Sequence, residues 1–282
     1  MKHIRLAFSF LLIILIAGSA YAEDKGIGFG LHAGYGVTSY EEDTDAFGRD
    51  TESEATLDTV IVGASVEYTL PALEHFYLGG VADLLFGLED VETWEEDDVK
   101  VQMNDISIDP GIFLDGRLGF KNSVDNFYYR IYGSFGWDGI YFRRKNFKRN
   151  GVTTSDDTIT EDFTLWRGGG GLSMGYIIDK WAIDGRAAYS HYFDGEIRNS
   201  SQDGVEFAAK GNCLDFGAGI AYEITERMKL YGGVSYTYIK LEESDVDSNT
   251  VQTGNVIKTT QVVFPASRTQ ILAGVVNLTF GF

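Results

Sequence analysis

Residues 127–142, FYYRIYGSFGWDGIYF, read differently at odd and even positions. Phe127, Tyr129, Ile131, Gly133, Phe135, Trp137, Gly139 and Tyr141 form one set, apolar or aromatic throughout. Tyr128, Arg130, Tyr132, Ser134, Gly136, Asp138, Ile140 and Phe142 form the other, and it holds the charges. Alternate side chains of a strand point to opposite faces, so this period of two predicts a strand with one greasy side and one polar side. The run is about 16 residues long, whereas a globular strand averages about 5–6 and a tilted strand crossing a bilayer needs about 9–11.

The pattern recurs along the chain, and ten strands are predicted. They cover residues 26–40, 55–69, 76–90, 105–119, 127–142, 161–178, 181–194, 211–224, 229–243 and 265–282. Strand one turns Ile27, Phe29, Leu31, Ala33, Tyr35 and Val37 outward. Strand three turns Leu78, Leu84 and Phe86 outward, with Asp83 and Glu89 inward. Strand four turns Ile106, Ile108, Ile112, Leu114 and Leu118 outward, with Asp105, Ser107, Asp109, Asp115 and Arg117 inward. Pro110 lacks the ladder N–H and predicts a bulge or kink. The glycine run 168–171 predicts another. Strand seven turns Asp184, Arg186 and Asp194 inward.

The connections alternate in length. By these boundaries the odd-numbered strands are followed by about 14, 14, 18, 16 and 21 residues, the even-numbered by about 6, 7, 2 and 4, the rhythm of an outer-membrane barrel with short periplasmic turns and long extracellular loops. The fold class that follows is all-β: a transmembrane antiparallel up-and-down barrel of ten strands, or twelve if segment 244–264 adds a hairpin.

The N-terminus supports this. Lys2 and Arg5 precede an apolar run at 6–17 and an Ala20-Tyr21-Ala22 cleavage site, so residues 1–22 read as a secretory signal and 23–282 as one barrel domain with five long outer loops. The run is too short for a helical span. Gly (34) and aromatics (14%) are plentiful while Pro (3) is scarce, as closed, interface-anchored strands require. The net charge of −19 excludes nucleic acid as a partner. The lone Cys213 can make no internal disulfide and reads as a small interior residue. Phe280 and Phe282 close the last strand in a way that resembles the terminal signature read by the bacterial barrel-assembly machinery. That resemblance implies the machinery as a partner and the outer membrane of a Gram-negative cell as the location.

Three places carry candidate chemistry. Asp83, Asp109, Asp115, Arg117, Arg130, Asp138, Arg167, Asp184 and Arg186 are assigned to the lumen. In so narrow a barrel they are expected to pair into a network that plugs it; the alternative is a narrow cation-preferring pore. Arg143, Arg144, Lys145, Lys148 and Arg149 form a basic cluster at the level of lipopolysaccharide phosphates, so they are candidates for binding that lipid; the alternative is a solvated loop. The acidic groups Glu41-Glu42-Asp43 and Glu95–Asp98 lack the spacing of a calcium loop, so no metal and no cofactor is expected.

In topology and strand spacing, over most of the mature chain, the sequence resembles the omptin family of outer-membrane proteases. That resemblance implies an acidic pair in the second outer region and an Asp-His pair in the fourth. The second region offers Asp90 and Glu92, followed by Trp94; the fourth offers Asp203 without a histidine. The nearest histidine is His191, with Asp194 three residues on. His191 falls on the outward face with Tyr189 and Phe193, so the catalytic pattern is not intact. The expected function is therefore a non-enzymatic surface, structural or ligand-binding barrel. An omptin-like protease and a small porin-like pore are the alternatives. The oligomeric state is not legible.

Overall fold

The computed structural model describes residues 26–45, 50–202, 205–253 and 256–282; the signal assignment at 1–22 lies outside them. The strands are β1 (Ile27–Thr44), β2 (Thr51–Thr69), β3 (Phe76–Glu96), β4 (Val99–Val124), β5 (Phe127–Arg149), β6 (Val152–Ser155), β7 (Ile159–Ile178), β8 (Trp181–Asn199), β9 (Glu206–Ala208), β10 (Gly211–Thr225), β11 (Met228–Leu241), β12 (Asp247–Thr253), β13 (Val256–Val262) and β14 (Ala266–Gly281). Ten of them form the wall, in the order β1-β2-β3-β4-β5-β7-β8-β10-β11-β14, with every neighbouring pair antiparallel. The ring closes where β1 pairs with β14, from Gly28↔Gly281 to Asp43↔Ala266. Closure leaves the wall without an exposed edge. Segment 244–264 does contain a hairpin, β12–β13, but it forms its own two-stranded sheet, so the wall has ten strands.

One end of the barrel is made of short turns. Asp125 and Asp179 adopt φ of 53° and 54° there, a conformation that Asp tolerates. Both ends of the described chain meet at this rim, where the Phe282 N–H donates to the Ile27 carbonyl at 2.8 Å. At the opposite, loop end the strands run well past the predicted limits. β3 and β4 have 21 and 26 residues and join at Asp97-Asp98, so the predicted loop at 91–104 is a hairpin. β5 has 23 residues and ends at Arg149 rather than at 142.

The reason is an inversion of the wall. In its lower part the greasy face points out: Ile131 and Phe135 of β5 are each 55% exposed on the outer surface. Higher on the same strand the outward positions become Tyr141, Arg143 and Lys145, and the inward ones become Ile140 and Phe142, which are buried. Lipid bathes the lower outer surface, so apolar side chains face out there. Above the lipid the outer surface meets water, and apolar side chains turn in. A strand recognised by its greasy outer face therefore ends, in sequence, where the lipid ends.

The upper storey has a protein-like core. Tyr40 (β1), Leu57 (β2), Ile106 and Ile108 (β4), Phe142 (β5), Phe163 and Leu165 (β7), Ile197 (β8) and Ile239 and Leu241 (β11) fill the lumen. Phe207 of β9 and Phe264, from the segment after β13, fold over it; the Phe264 ring centroid lies 5.6 Å from that of Phe163 and 5.8 Å from that of Phe207.

Several predicted faces are corrected. Pro110 does sit at an irregularity: pairing steps from Ile108↔Phe142 to Ile112↔Gly139, so β4 carries one extra residue. That residue reverses the parity of everything above it. Ile106 and Ile108 consequently point in and are buried, and Asp109, assigned to the lumen, lies outside against Arg143 (3.2 Å). A matching shift in β3 between Gly87 and Asp90 turns Glu89 outward, where it meets Lys145 at 2.6 Å. The glycine run at 168–171 pairs with β5 in unbroken register and is no bulge. Gly171 instead clears space for a neighbour, since a Cβ there would stand 2.4 Å from the Tyr132 hydroxyl. The irregularity falls in β8, where pairing jumps from Asp194 to Tyr192 and leaves Asp194 exposed instead of inward.

Candidate functional site

The most unusual chemistry lies at the top of the upper storey. Arg144 continues the inward parity of β5 two residues past Phe142, and its side chain is buried. Three glutamates converge on its guanidinium. Glu92 of β3 takes a two-pronged bond, from Nε at 2.6 Å and Nη2 at 2.8 Å. Glu42 of β1 accepts from Nη2 at 2.9 Å, and Glu161 of β7 meets Nη1. The planar guanidinium lies near two rings, 5.7 Å from the Tyr40 centroid and 5.5 Å from that of Trp94. Neutral donors complete the shell. Asn104 gives Glu92 an N–H at 2.7 Å and accepts from the Trp94 indole at 2.9 Å; Ser53 reaches Glu92 at 3.2 Å. The Tyr40 hydroxyl donates to Glu42, and Asn199 donates to Glu161 at 2.7 Å.

The sheet register builds this site. Glu92 stands opposite Asn104 and Glu161 opposite Asn199, so these two acids have a polar partner across one rung, while Glu42 stands opposite Ser53, whose hydroxyl turns to Glu92, and takes its own neutral donor from Tyr40 two residues back on β1. The outward neighbours at this height are Glu41, Asp43, Lys145 and Asp162, charges that belong in water; the cluster therefore lies above the lipid band. Burial pushes the Glu42 carboxyl up and that of Glu161 up to about 7, against the opposing pull of Arg144.

Below it the lumen is polar. Arg167 bonds Asp138 at 2.9 Å and Asp115 at 3.3 Å, Arg117 bonds Asp115 at 2.5 Å, and Tyr192 donates to Asp138 at 2.6 Å. Lower still come His32 with Asp83 (2.5 Å), Arg186 with Asp215 (3.1 Å), Tyr128 with Asp184 (3.4 Å) and Arg130 with Glu67 (2.8 Å). Arg130 and Arg186 keep more than 40% of their side chains accessible while facing inward, so this storey admits water.

The predicted basic cluster is split by the strand's own alternation. Arg144 is withdrawn into the barrel and cannot meet a lipid headgroup. Arg143 and Lys145 stay outside, paired with Asp109 and Glu89; Lys148 and Arg149 are exposed near the β5–β6 tip. The four catalytic candidates do not meet. Glu92 is buried on Arg144. Asp90 is exposed and accepts from the Val91 N–H. His191 lies on the outer face, 3.1 Å from Asn212, and Asp194 is exposed. Asp203 lies outside the described residues. At the β1–β2 tip Asp43, Asp50 and Glu52 bring carboxylates within 4.8 Å of one another, a solvated acidic group. The sequence singles out none of the partners Tyr40, Asn104, Glu161 and Asn199, and shows Glu42 only as part of an acidic group and Trp94 only as a neighbour of Glu92. Continuing the inward parity of strand one past Thr38, and of strand five past Phe142, would have found Tyr40, Glu42 and Arg144.

The family model for the outer membrane protein beta-barrel domain matches residues 8–207. A comparison with curated proteins finds no match. Among solved structures, the outer membrane protease OmpT from Escherichia coli matches at a TM-score of 0.68, covering 91% of this chain and 97% of that one at 11% identity. The translocator domain of the autotransporter NalP from Neisseria meningitidis matches at a TM-score of 0.40 and 10% identity, over 99% and 97% of the two chains. The likeness to the protease is one of fold, with an omptin-like topology.

Proposed function

The chain belongs to the outer membrane protein beta-barrel family, and from that premise we propose that it is a closed, non-enzymatic surface barrel whose loop end faces outward as a rigid platform for contact. The observation that carries this reading is the apolar storey. Phe142, Phe163, Leu165, Phe207 and Phe264 occupy the lumen just where a pore would need water and a protease would need an open cleft. Water-excluded, close-packed side chains leave no path for ions. Buried carboxylates reach no substrate water, which a general base must do.

The platform contacts lipopolysaccharide through Arg143 and Lys145 on the outer face of β5, with Lys148 and Arg149 above them. Arg pairs with phosphate through its fork and Lys as a point charge. Purified protein refolded with lipopolysaccharide tests the whole reading. It should give no single-channel conductance in planar bilayers and leave a diverse peptide library intact by mass spectrometry. Steady conductance would replace it with the pore; cleavage would replace it with the omptin-like protease.

A further inference from the structure

We propose that the Arg144 cluster is a proton-binding latch: it holds one proton on the pair Glu42 and Glu161 at neutral pH, releases it under alkaline conditions, and on release loosens the loop end of the barrel. The inference goes beyond the closed-platform reading and does not depend on it.

The count of charges carries the argument. Three carboxylates face one guanidinium, so full ionisation would leave two uncompensated negative charges in a dry site. The side chains facing the cluster are Tyr40 and Glu42 from β1, Ser53 from β2, Glu92 and Trp94 from β3, Asn104 from β4, Arg144 from β5, Glu161 from β7 and Asn199 from β8. Arg144 is the only cation in that set. Among the described residues the other well-buried charged side chains are Asp138 and Asp115, which both bond Arg167 in the layer below. Glu92 is the best-served anion, with two guanidinium bonds plus Asn104 and Ser53. Glu42 and Glu161 share what remains of the guanidinium. Like charges at one buried site cannot both ionise, so the pair takes up a proton that solvated glutamates would have lost.

The sign follows from linkage. A carboxyl raised above its unfolded value contributes stability that is complete below the unfolded value and is lost as pH rises through the folded one. For Glu161 that loss runs upward from the unfolded value of 4.5 and is complete just above pH 7. Because the cluster ties β1, β3, β5 and β7 together beneath the loops, the loop end is held tightest in mildly acidic surroundings.

Full-length protein in detergent micelles, unfolded with urea between about pH 5 and pH 9, tests the proposal. Wild type should lose close to tenfold in its folding equilibrium constant per pH unit between about pH 5 and pH 7, the slope of one proton, and should level off above about pH 8. Glu161→Gln and Glu42→Gln mimic the protonated form, and each should flatten that slope. Infrared spectroscopy reads the wild type independently of any variant: a protonated carboxylic acid band should be present at pH 7 and vanish by about pH 9. A wild-type slope of zero between about pH 5 and pH 7, an undiminished slope in both Gln variants, or no such band at pH 7 would each overturn the latch.

Discussion

Phe142→Ala probes the upper storey directly. Phe142 is 1% exposed, its ring centroid lies 4.4 Å from that of Tyr40 and 5.5 Å from that of Phe163, and it faces into the barrel from the middle of β5. Truncation removes the transfer energy of a buried ring and leaves a cavity whose walls are strands locked into a closed ladder. Such walls collapse poorly, which places the cost at about 3–5 kcal/mol. Of this, about 0.5–1.5 kcal/mol belongs to the specific contact with Tyr40 and should emerge as coupling in a double-mutant cycle of Tyr40→Ala with Phe142→Ala. Phe135→Ala is the control. Its ring, seven residues earlier, faces lipid, and acyl chains fill the gap it leaves. It should therefore cost only the transfer term, about 1.5–3 kcal/mol, with no coupling to Tyr40. Urea unfolding in micelles, followed by tryptophan emission and read as a midpoint change at constant slope, measures all of these. A Phe142→Ala cost below about 1 kcal/mol, with no coupling to Tyr40, would refute the packed upper storey.

Arg144→Ala leaves three acids buried around a void and should cost about 3–5 kcal/mol at neutral pH by the same unfolding assay; Arg144→Lys should recover only part, because an ammonium cannot make the two-pronged bond to Glu92. The parity reversal at Pro110 is checked by neighbouring substitutions: Ile108→Asp should cost more than about 3 kcal/mol, whereas Asp109→Asn should change the unfolding midpoint by the equivalent of less than about 1 kcal/mol. The opposite ranking would mean that β4 faces the other way above Pro110. Arg143→Ala combined with Lys145→Ala should weaken lipopolysaccharide binding about tenfold while leaving the unfolding midpoint nearly unchanged; unaltered retention on immobilised lipopolysaccharide would remove those two residues from the proposed contact.

The inward face of the lower lumen was legible and the Arg144 cluster was not, and the reason lies in parity. Asp83, Asp115, Arg117, Arg130, Asp138, Arg167, Asp184 and Arg186 all sit below the irregularities, where a simple alternation counted from the greasy face holds. Asp109 and Glu89 lie above them. One inserted residue moves every later side chain to the other face, and only the pairing partner shows which strand absorbs the insertion. Gly168–Gly171 illustrates the converse. Four glycines signal freedom to bend, but the register stays regular because Gly171 is needed to admit the Tyr132 ring.

By itself the sequence determined the period, a wall of ten strands or twelve, and the lipid-facing surface below the irregularities. Each of these depends on local alternation and on the gaps between alternating runs. Only the tertiary structure decided where lipid gives way to water, because period two says which residues share a face and not what that face touches. Arg144 shows the difference. Among Arg143, Lys145, Lys148 and Arg149 it reads as one more surface charge. Closing the ring brings Glu42, Glu92 and Glu161 onto it from three other strands, and those contacts, distant in sequence, make it a buried ion.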